Sequence, residues 1–401
     1  MRTHWNFSSA GQLVFGTGSL SQLGGIVSRK RLGRVLVVTD KNLLAAGIVS
    51  RVTEILEEAG AGFTVFDGGE PEPSLDTARR VLDAAWQFLP DAVLGLGGGS
   101  NMDLAKVVAT LLTHGGAPSD YFGFDRIPGP VIPLICIPTT AGTGSEVSHS
   151  AVLTDTVNGI KVSTLSGYLR PAVAIVDPSL TLTCPPKATA DSGIDALTHA
   201  IEAYTVTDFD RMETAPDGLF PYTGKTPMGD ILAEKAIALV GQSLVTAVKE
   251  PDNLPARENM ALAATLAGMA FSNCGVSIIH ALEYPIGAAL HVSHGAGNGL
   301  LLPYVMRFNL AVRTKEFARV AKLLGADTGG LDEASAAELA VRKVEELKRD
   351  AGIPERLREI GATAAQLPGF AEKSFGIKRL VENNPRRPSQ DDLLGILEQA
   401  L

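Results

Sequence analysis

The stretch Asp91-Ala92-Val93-Leu94-Gly95-Leu96-Gly97-Gly98-Gly99-Ser100-Asn101-Met102-Asp103-Leu104-Ala105-Lys106 decides the fold class. Ala92 to Leu96 is a short apolar run bounded by glycines, which reads as a buried strand. A helical pattern begins near Met102, so the glycines form a tight strand-to-helix turn whose backbone amides and positive helix end can receive a phosphate group. Ser100 stands where a GxGxxG fingerprint has its third glycine, so the turn departs from that motif.

Outward from this turn, Val35–Thr39, Phe63–Phe66, Pro133–Ile137 and Ala172–Val176 are further strand candidates. Between two of them Ser74 offers a helix N-cap, and Leu75, Ala78, Leu82, Ala85 and Leu89 recur at helical spacing until Pro90. Strands alternating with helices indicate a parallel α/β domain. Ala151–Leu153 and Ile160–Ser163 flank Asn158-Gly159, a type I′ hairpin signal that is expected to interrupt the parallel order. Beyond Cys184-Pro185-Pro186 the texture turns alanine- and leucine-rich, with helical patterns at 188–204, 229–248 and 256–271. Two domains are expected: residues 1–184, α/β, and residues 185–401, all helical. The segment 207–229 reads as the longest loop.

The chain has 401 residues, 45% hydrophobic and 20% charged, with 42 glycines and 23 prolines. That composition is globular and excludes disordered, collagen-like and coiled-coil classes. The longest nearly unbroken apolar stretch, Ala261 to Phe271, is too short for a bilayer span, and residues 1–9 carry no signal core. A net charge of -9 without a basic block argues against nucleic-acid and membrane partners. Cys136, Cys184 and Cys274 are too widely spaced for a disulfide framework or a CxxC site. A cytoplasmic protein with a small-molecule ligand is expected.

Pro138-Thr139-Thr140-Ala141-Gly142-Thr143-Gly144-Ser145-Glu146 follows another strand and offers hydroxyls and amides as a second phosphate or ribose cradle. An ordinary Ser/Thr-rich turn explains the same composition. Two such loops at strand carboxyl ends fit the ligand crevice of open α/β sheets. Asp40 ends a strand, where a carboxylate can bind a ribose diol and repel a 2′-phosphate, favouring NAD over NADP; a helix-capping aspartate before Leu43 is the equal alternative. His280, His291 and His294 are three of only seven histidines. Asp195 and His199, spaced i, i+4, share one helix face about 6 Å apart at Cβ. Three imidazoles and a carboxylate suit Fe(II), Zn(II) or a similar ion.

Taken together, these motifs resemble those of the iron-containing (group III) alcohol dehydrogenase family. Gly97 to Lys106 is similar to its GGGSxxDxAK, and Pro138 to Glu146 to its PTTxGTGSE loop. Asp195-Ala196-Leu197-Thr198-His199-Ala200-Ile201-Glu202 resembles its DALTHAxE helix, and His280 to Leu302 the segment supplying the last two metal ligands. The resemblance implies a dehydroquinate synthase-like nucleotide-binding domain, a helical metal-binding domain and an active site in the cleft between them. It makes Asp195, His199, His280 and His294 the ligands of a divalent metal, Fe(II) first and Zn(II) second. Gly97, Gly98, Gly99 and Ser100 would hold the pyrophosphate of NAD, with Asp103 of the same motif nearby and Asp40 at the ribose. Thr139, Thr140, Thr143 and Lys161 would line the rest. His291 has no counterpart in the pattern.

Two departures stand out. The family usually has a histidine four residues after the third ligand, where this chain has Tyr284, here taken as a catalytic candidate in its place. The 207–229 loop is also long. Both features look like the hydroxyacid-oxoacid transhydrogenase branch. The expected reaction is metal-assisted hydride transfer between an alcohol or hydroxyacid and NAD, giving the aldehyde or ketone, by a homo-oligomer such as a dimer. A 4-hydroxybutyrate dehydrogenase or transhydrogenase is the alternative within that chemistry; a dehydroquinate synthase-like lyase or a non-catalytic binding protein stands outside it. For an acidic substrate, Arg211 and Lys225 of the long loop are the candidate cations.

Overall fold

The computed structural model describes residues 2–156, 160–212 and 220–401. The chain divides into two compact units, residues 8–184 and residues 185–401, the latter joined by Arg2–Phe7. The sequence reading put that N-terminal arm in the α/β domain. Instead it is held to the helical unit, because the Arg2 guanidinium lies 3.2 Å from the centre of the Phe220 ring and donates to the Thr223 carbonyl at 3.4 Å.

In the α/β unit the described strands are β1 (Leu13–Phe15), β2 (Arg34–Val38), β3 (Gly62–Phe66), β4 (Ala92–Gly97), β5 (Gly123–Phe124), β6 (Leu134–Pro138), β7 (Ser150–Asp155), β8 (Ile160–Leu165) and β9 (Val173–Val176). Six of them form a wholly parallel sheet in the order β1-β9-β6-β4-β2-β3. Its helices are α1 (Gln22–Lys30), α2 (Lys41–Ala45), α3 (Ile48–Glu58), α4 (Leu75–Phe88) and α5 (Gly99–His114). Alternate side chains of β2 feed two cores: Val35 and Val37 pack with α1 and α3, Leu36 and Val38 with α4 and α5. Each such buried valine or leucine contributes ~1.5–3 kcal/mol. The order reverses beside β2, which places the carboxyl ends of β2 and β4 at the switch point where such sheets bind ligands.

Local chemistry sets the helix ends. The Ser74 hydroxyl accepts the Thr77 N–H at 3.1 Å and caps α4, which ends at left-handed Leu89 before Pro90. Helix α5 begins at Gly99 rather than near Met102, because the Met102 amide already donates to the Gly98 carbonyl at 3.2 Å. The expected hairpin is the antiparallel pair β7 and β8; its Asn158-Gly159 turn lies outside the described residues. It does not interrupt the parallel order, since it joins β5 in a separate three-stranded sheet.

Among the described residues no strand follows β9. The helical unit runs through α6 (Pro186–Thr205), α7 (Pro227–Lys249), α8 (Leu254–Cys274), α9 (Ile278–Leu290) and α10 (His294–Asn309). It continues with α11 (Thr314–Leu323), α12 (Glu333–Asp350), α13 (Leu367–Phe375), α14 (Lys378–Val381) and α15 (Gln390–Ala400). By length and apolarity α7 resembles a membrane-crossing helix. Its Ala233, Ala236, Ile237, Val240 and Leu244 are buried and it packs against α6 and α8, which makes it a core helix of this unit.

Candidate metal centre and cofactor loops

Three helices supply the polar cluster of the helical unit. Asp195, His199 and Glu202 follow one another along one face of α6, His280 lies in the first turn of α9, and His294 opens α10. The α10 terminus approaches α6 closely at Gly295, where a Cβ would meet the Asp191 carbonyl oxygen at 2.0 Å, so only glycine fits. Donor atoms of Asp195, His199, His280 and His294 all lie within 4.8 Å of one another.

Carboxylates behind two of the imidazoles set their tautomers. His280 Nδ1 donates to Glu202 Oε2 at 2.5 Å, while Glu202 Oε1 accepts from the Ser277 hydroxyl (2.8 Å) and the Ile279 N–H (2.9 Å). His294 Nδ1 donates to Glu283. With protons held at Nδ1, both Nε2 lone pairs point into the cluster, as metal ligation requires. His280 Nε2 faces His199 Nε2 at 3.0 Å. Asn298 Nδ2 carries two hydrogens, yet it lies near three acceptors: Asp195 Oδ1 (2.8 Å), His294 Nε2 (3.1 Å) and His280 Nε2 (3.2 Å). Acceptors outnumber donors, so these residues fit a cation.

Electrostatics agree. Burial pushes the His199 imidazole down to about 4, more than Asp195 can restore, so it is a neutral lone-pair donor at neutral pH. Burial works to raise the Asp195 carboxyl, but His199, His294, His280 and the Asn298 amide outweigh it and keep the group below the usual carboxylate range. The Phe271 ring stacks on His199 at 4.2 Å and walls one side. Asp195, His199 and His280 are at most 5% exposed, whereas the His294 side chain keeps 32% of its surface, so the cluster opens on that side. Tyr284, one turn after His280, has its ring centre 6.0 Å from that of His294. His291 is the left-handed residue ending α9.

Within the α/β unit, Gly97–Ser100 and Thr139–Thr143 lie side by side. A Cβ on Gly99 would come within 2.7 Å of Thr143 Cγ2, and one on Gly98 within 3.5 Å of Thr140 Oγ1. The Thr139 amide donates to the Gly97 carbonyl at 3.0 Å. The N-cap residue of α5 is Gly98, which has no side chain to cap it, and the positive helix end is suited to phosphate. Ser100 Oγ accepts the Glu72 amide at 3.3 Å, and Glu72 pairs with Lys161 at 2.7 Å, which brings Lys161 to the same loops. Asp40 does cap a helix: Oδ1 accepts from the Asn42 (2.9 Å) and Leu43 (3.1 Å) amides, and Oδ2 from Asn101 Nδ2 (2.7 Å). Asp103, expected at the cofactor, is instead turned to the Ser145 hydroxyl (2.6 Å) and the Val152 amide (2.9 Å). Fully buried Lys106 donates to Ser145, Ser148 and the Ser150 carbonyl, so this end of the motif fastens the threonine loop to α5.

Iron-containing alcohol dehydrogenase models match both units, the N-terminal one over residues 10–178 and the C-terminal one over 189–401. The chain belongs to the iron-containing alcohol dehydrogenase family. It is similar to the NAD-dependent methanol dehydrogenase of Bacillus methanolicus, 34% identical and covering 99% of this chain and 100% of the relative. The crystal structure of a 1,3-propanediol oxidoreductase superposes with a TM-score of 0.93 at 34% identity, covering 99% and 100% of the two chains. Sulfoacetaldehyde reductase from Bifidobacterium kashiwanohense, in complex with NAD+, does so with 0.85 at 30% identity, covering 100% and 99%.

For this family member, sequence reasoning overlooked Glu202, Glu283 and Asn298 as functional residues. A spacing signal was present: each carboxylate sits three residues after a histidine of its helix, and Asn298 four after His294. The two loop cations have local partners. Arg211 is largely exposed with Nε 3.9 Å from Asp208, and Lys225 pairs with Asp230.

Proposed function

We propose that this oxidoreductase is an NAD-dependent dehydrogenase of small alcohols and their aldehydes, using one divalent cation, Fe(II) or Zn(II), held by Asp195, His199, His280 and His294. The observation that carries this reading is the convergence of four donors within 4.8 Å, with Glu202 and Glu283 fixing two of the imidazoles. The relatives named for methanol and 1,3-propanediol support small alcohols as substrates, and the NAD-dependent relative supports the cofactor.

When bound, the cation supplies Lewis acidity at the substrate oxygen and the nicotinamide supplies the hydride acceptor. The protein's part is orientation and exclusion of water. Glu202 and Glu283 keep protons on His280 and His294 at Nδ1, so neither imidazole presents an N–H to the substrate oxygen. Phe271 and the buried α6 face exclude water, and access is from the His294 side. In the α/β unit, the α5 amides hold the pyrophosphate and Thr139, Thr140, Thr143 and Lys161 hold the nicotinamide half. The Asp40 carboxylate keeps a 2′-phosphate away from the adenosine ribose.

The three buried free cysteines support a reducing, cytoplasmic setting. Edge strand β1 carries partly exposed Leu13 and Phe15, which supports pairing of two copies as a dimer. The test is absorbance of the nicotinamide band with Fe(II)- or Zn(II)-loaded protein, 1,3-propanediol or 1-butanol, and NAD or NADP. Net reduction that is faster with NAD and abolished by chelator supports the reading; no net reduction with any alcohol refutes it.

A further inference from the structure

A second polar cluster borders the metal centre within the helical unit. Arg379, on α14, donates from Nη1 to the Tyr222 hydroxyl at 3.2 Å and is also hydrogen-bonded to Tyr284. Tyr284 in turn lies beside His294, so one tyrosine ring separates a guanidinium from a proposed metal ligand.

The support for this guanidinium is rigid. Helix α14 packs against α9. Tyr222 is 5% exposed, and a Cβ on Gly275 would come within 2.6 Å of its ring. The neighbouring Thr223 amide donates to the Asn273 carbonyl at 2.7 Å, and Arg2 anchors Phe220 and Thr223 from the other side. Burial pushes the Tyr222 phenol up to about 12, so it meets Arg379 as a neutral hydroxyl. Arg379 is half-buried, an arrangement in which a guanidinium keeps its charge and gains strength toward an anion. The chain as a whole carries a net charge of -9, so an acidic substrate needs a local cation to stay.

We propose that Arg379, held by Tyr222 and Tyr284, is the anion-recognition site of this enzyme and selects alcohols and aldehydes whose far end carries a carboxylate or sulfonate. This assignment rests on the dehydrogenase reading and replaces Arg211 and Lys225 as the source of substrate charge preference. Tyr284 is then a positioning residue for the guanidinium.

The experiment compares metal-loaded native protein with Arg379→Met, Arg379→Lys and Tyr284→Phe. Turnover is measured with 4-hydroxybutyrate against 1-butanol, and with 3-hydroxypropane-1-sulfonate against 1-propanol; butyrate and propane-1-sulfonate binding is measured by calorimetry. The native enzyme should prefer one or both anions, the carboxylate and sulfonate arms deciding which. Arg379→Met should lower the anion-to-neutral ratio of kcat/KM by roughly 10–100-fold, mainly through KM, with partial rescue by lysine. Tyr284→Phe, the milder change, should lower the ratio several-fold. Neutral alcohols oxidised as well as anions, with probe binding indifferent to Arg379→Met and Tyr284→Phe, would overturn the assignment and leave the dehydrogenase standing. Probe binding lost in Arg379→Met without oxidation of any alcohol would uphold the anion site and sink the dehydrogenase reading.

Discussion

Replacing Glu202 by Gln changes one oxygen to an NH2 group, and the surroundings decide which. Oε1 accepts two hydrogen bonds, from the Ser277 hydroxyl and the Ile279 N–H. The amide oxygen of glutamine must take that place, because the reverse orientation would set NH2 against a backbone donor and leave a buried N–H unsatisfied at ~1–3 kcal/mol. The NH2 then faces His280 Nδ1, which Glu202 Oε2 now contacts at 2.5 Å. His280 must present a lone pair there and carry its proton on Nε2, pointing into the cluster, so it ceases to be a ligand. The lost charge-assisted bond is worth ~1.5–3 kcal/mol and outer hydrogen-bond partners of metal ligands typically control ~10–100-fold in affinity; loss of a ligand puts this variant at or beyond the upper end. Chelator competition with Zn(II) measures the affinity, and the visible spectrum of the Co(II) form reports the change in coordination. Affinity within about threefold of native, less than 1 kcal/mol, together with an unchanged Co(II) spectrum, would refute the tautomer argument.

Other expectations concern both units. Asp40→Gly should cut the NAD-over-NADP preference in kcat/KM by roughly tenfold, as loss of a ~1.4 kcal/mol repulsion does, while the lost cap, glycine being itself a tolerated N-cap, should cost only about 0.3 kcal/mol of stability in a melt; an unchanged preference would leave Asp40 as a cap alone. Gly99→Ala, which drives a Cβ to 2.7 Å from Thr143, should destabilise by ~1–3 kcal/mol and weaken NADH binding in a fluorescence titration; normal binding would exclude this loop from the cofactor site. Burial pushes Lys348 down to about 8 from 10.5. The unfolded chain therefore binds one more proton between those values, and stability should rise with pH across that window. Lys348→Met should be more stable than native at pH 7 by roughly 1–3 kcal/mol, the gap closing by pH 10.5 in urea titrations. A gap that widens with pH would contradict the sign.

Much of this was legible because it is local. The Ser74 cap, the β4 strand and glycine turn, the i, i+4 pair on α6 and the switch to long helices are all written in short-range pattern. What escaped depends on distant parts of the chain. The Arg2–Phe7 arm is held by Phe220 and Thr223, more than two hundred residues away, and β1 is three residues whose pairing with β9 no local run announces. The hairpin was legible but its sheet was not, since β5 is two residues long. Asp103 and Lys106 lie inside a motif read as cofactor-binding, and only the fold reveals that they grip Ser145. Arg379 has no spacing relation to His294; α14 places it there, and Tyr222 of the long loop holds it.

Anomalous diffraction from crystals of the Zn(II)-loaded protein, recorded on either side of the zinc edge, shows where the cation binds and which atoms hold it. One strong peak is expected, bonded to Asp195, His199, and the Nε2 atoms of His280 and His294 at about 2.0–2.2 Å, with Glu202 and Glu283 still on the far nitrogens of the two locked imidazoles. No peak at this cluster, or a zinc ion that leaves His280 or His294 unligated, would contradict it.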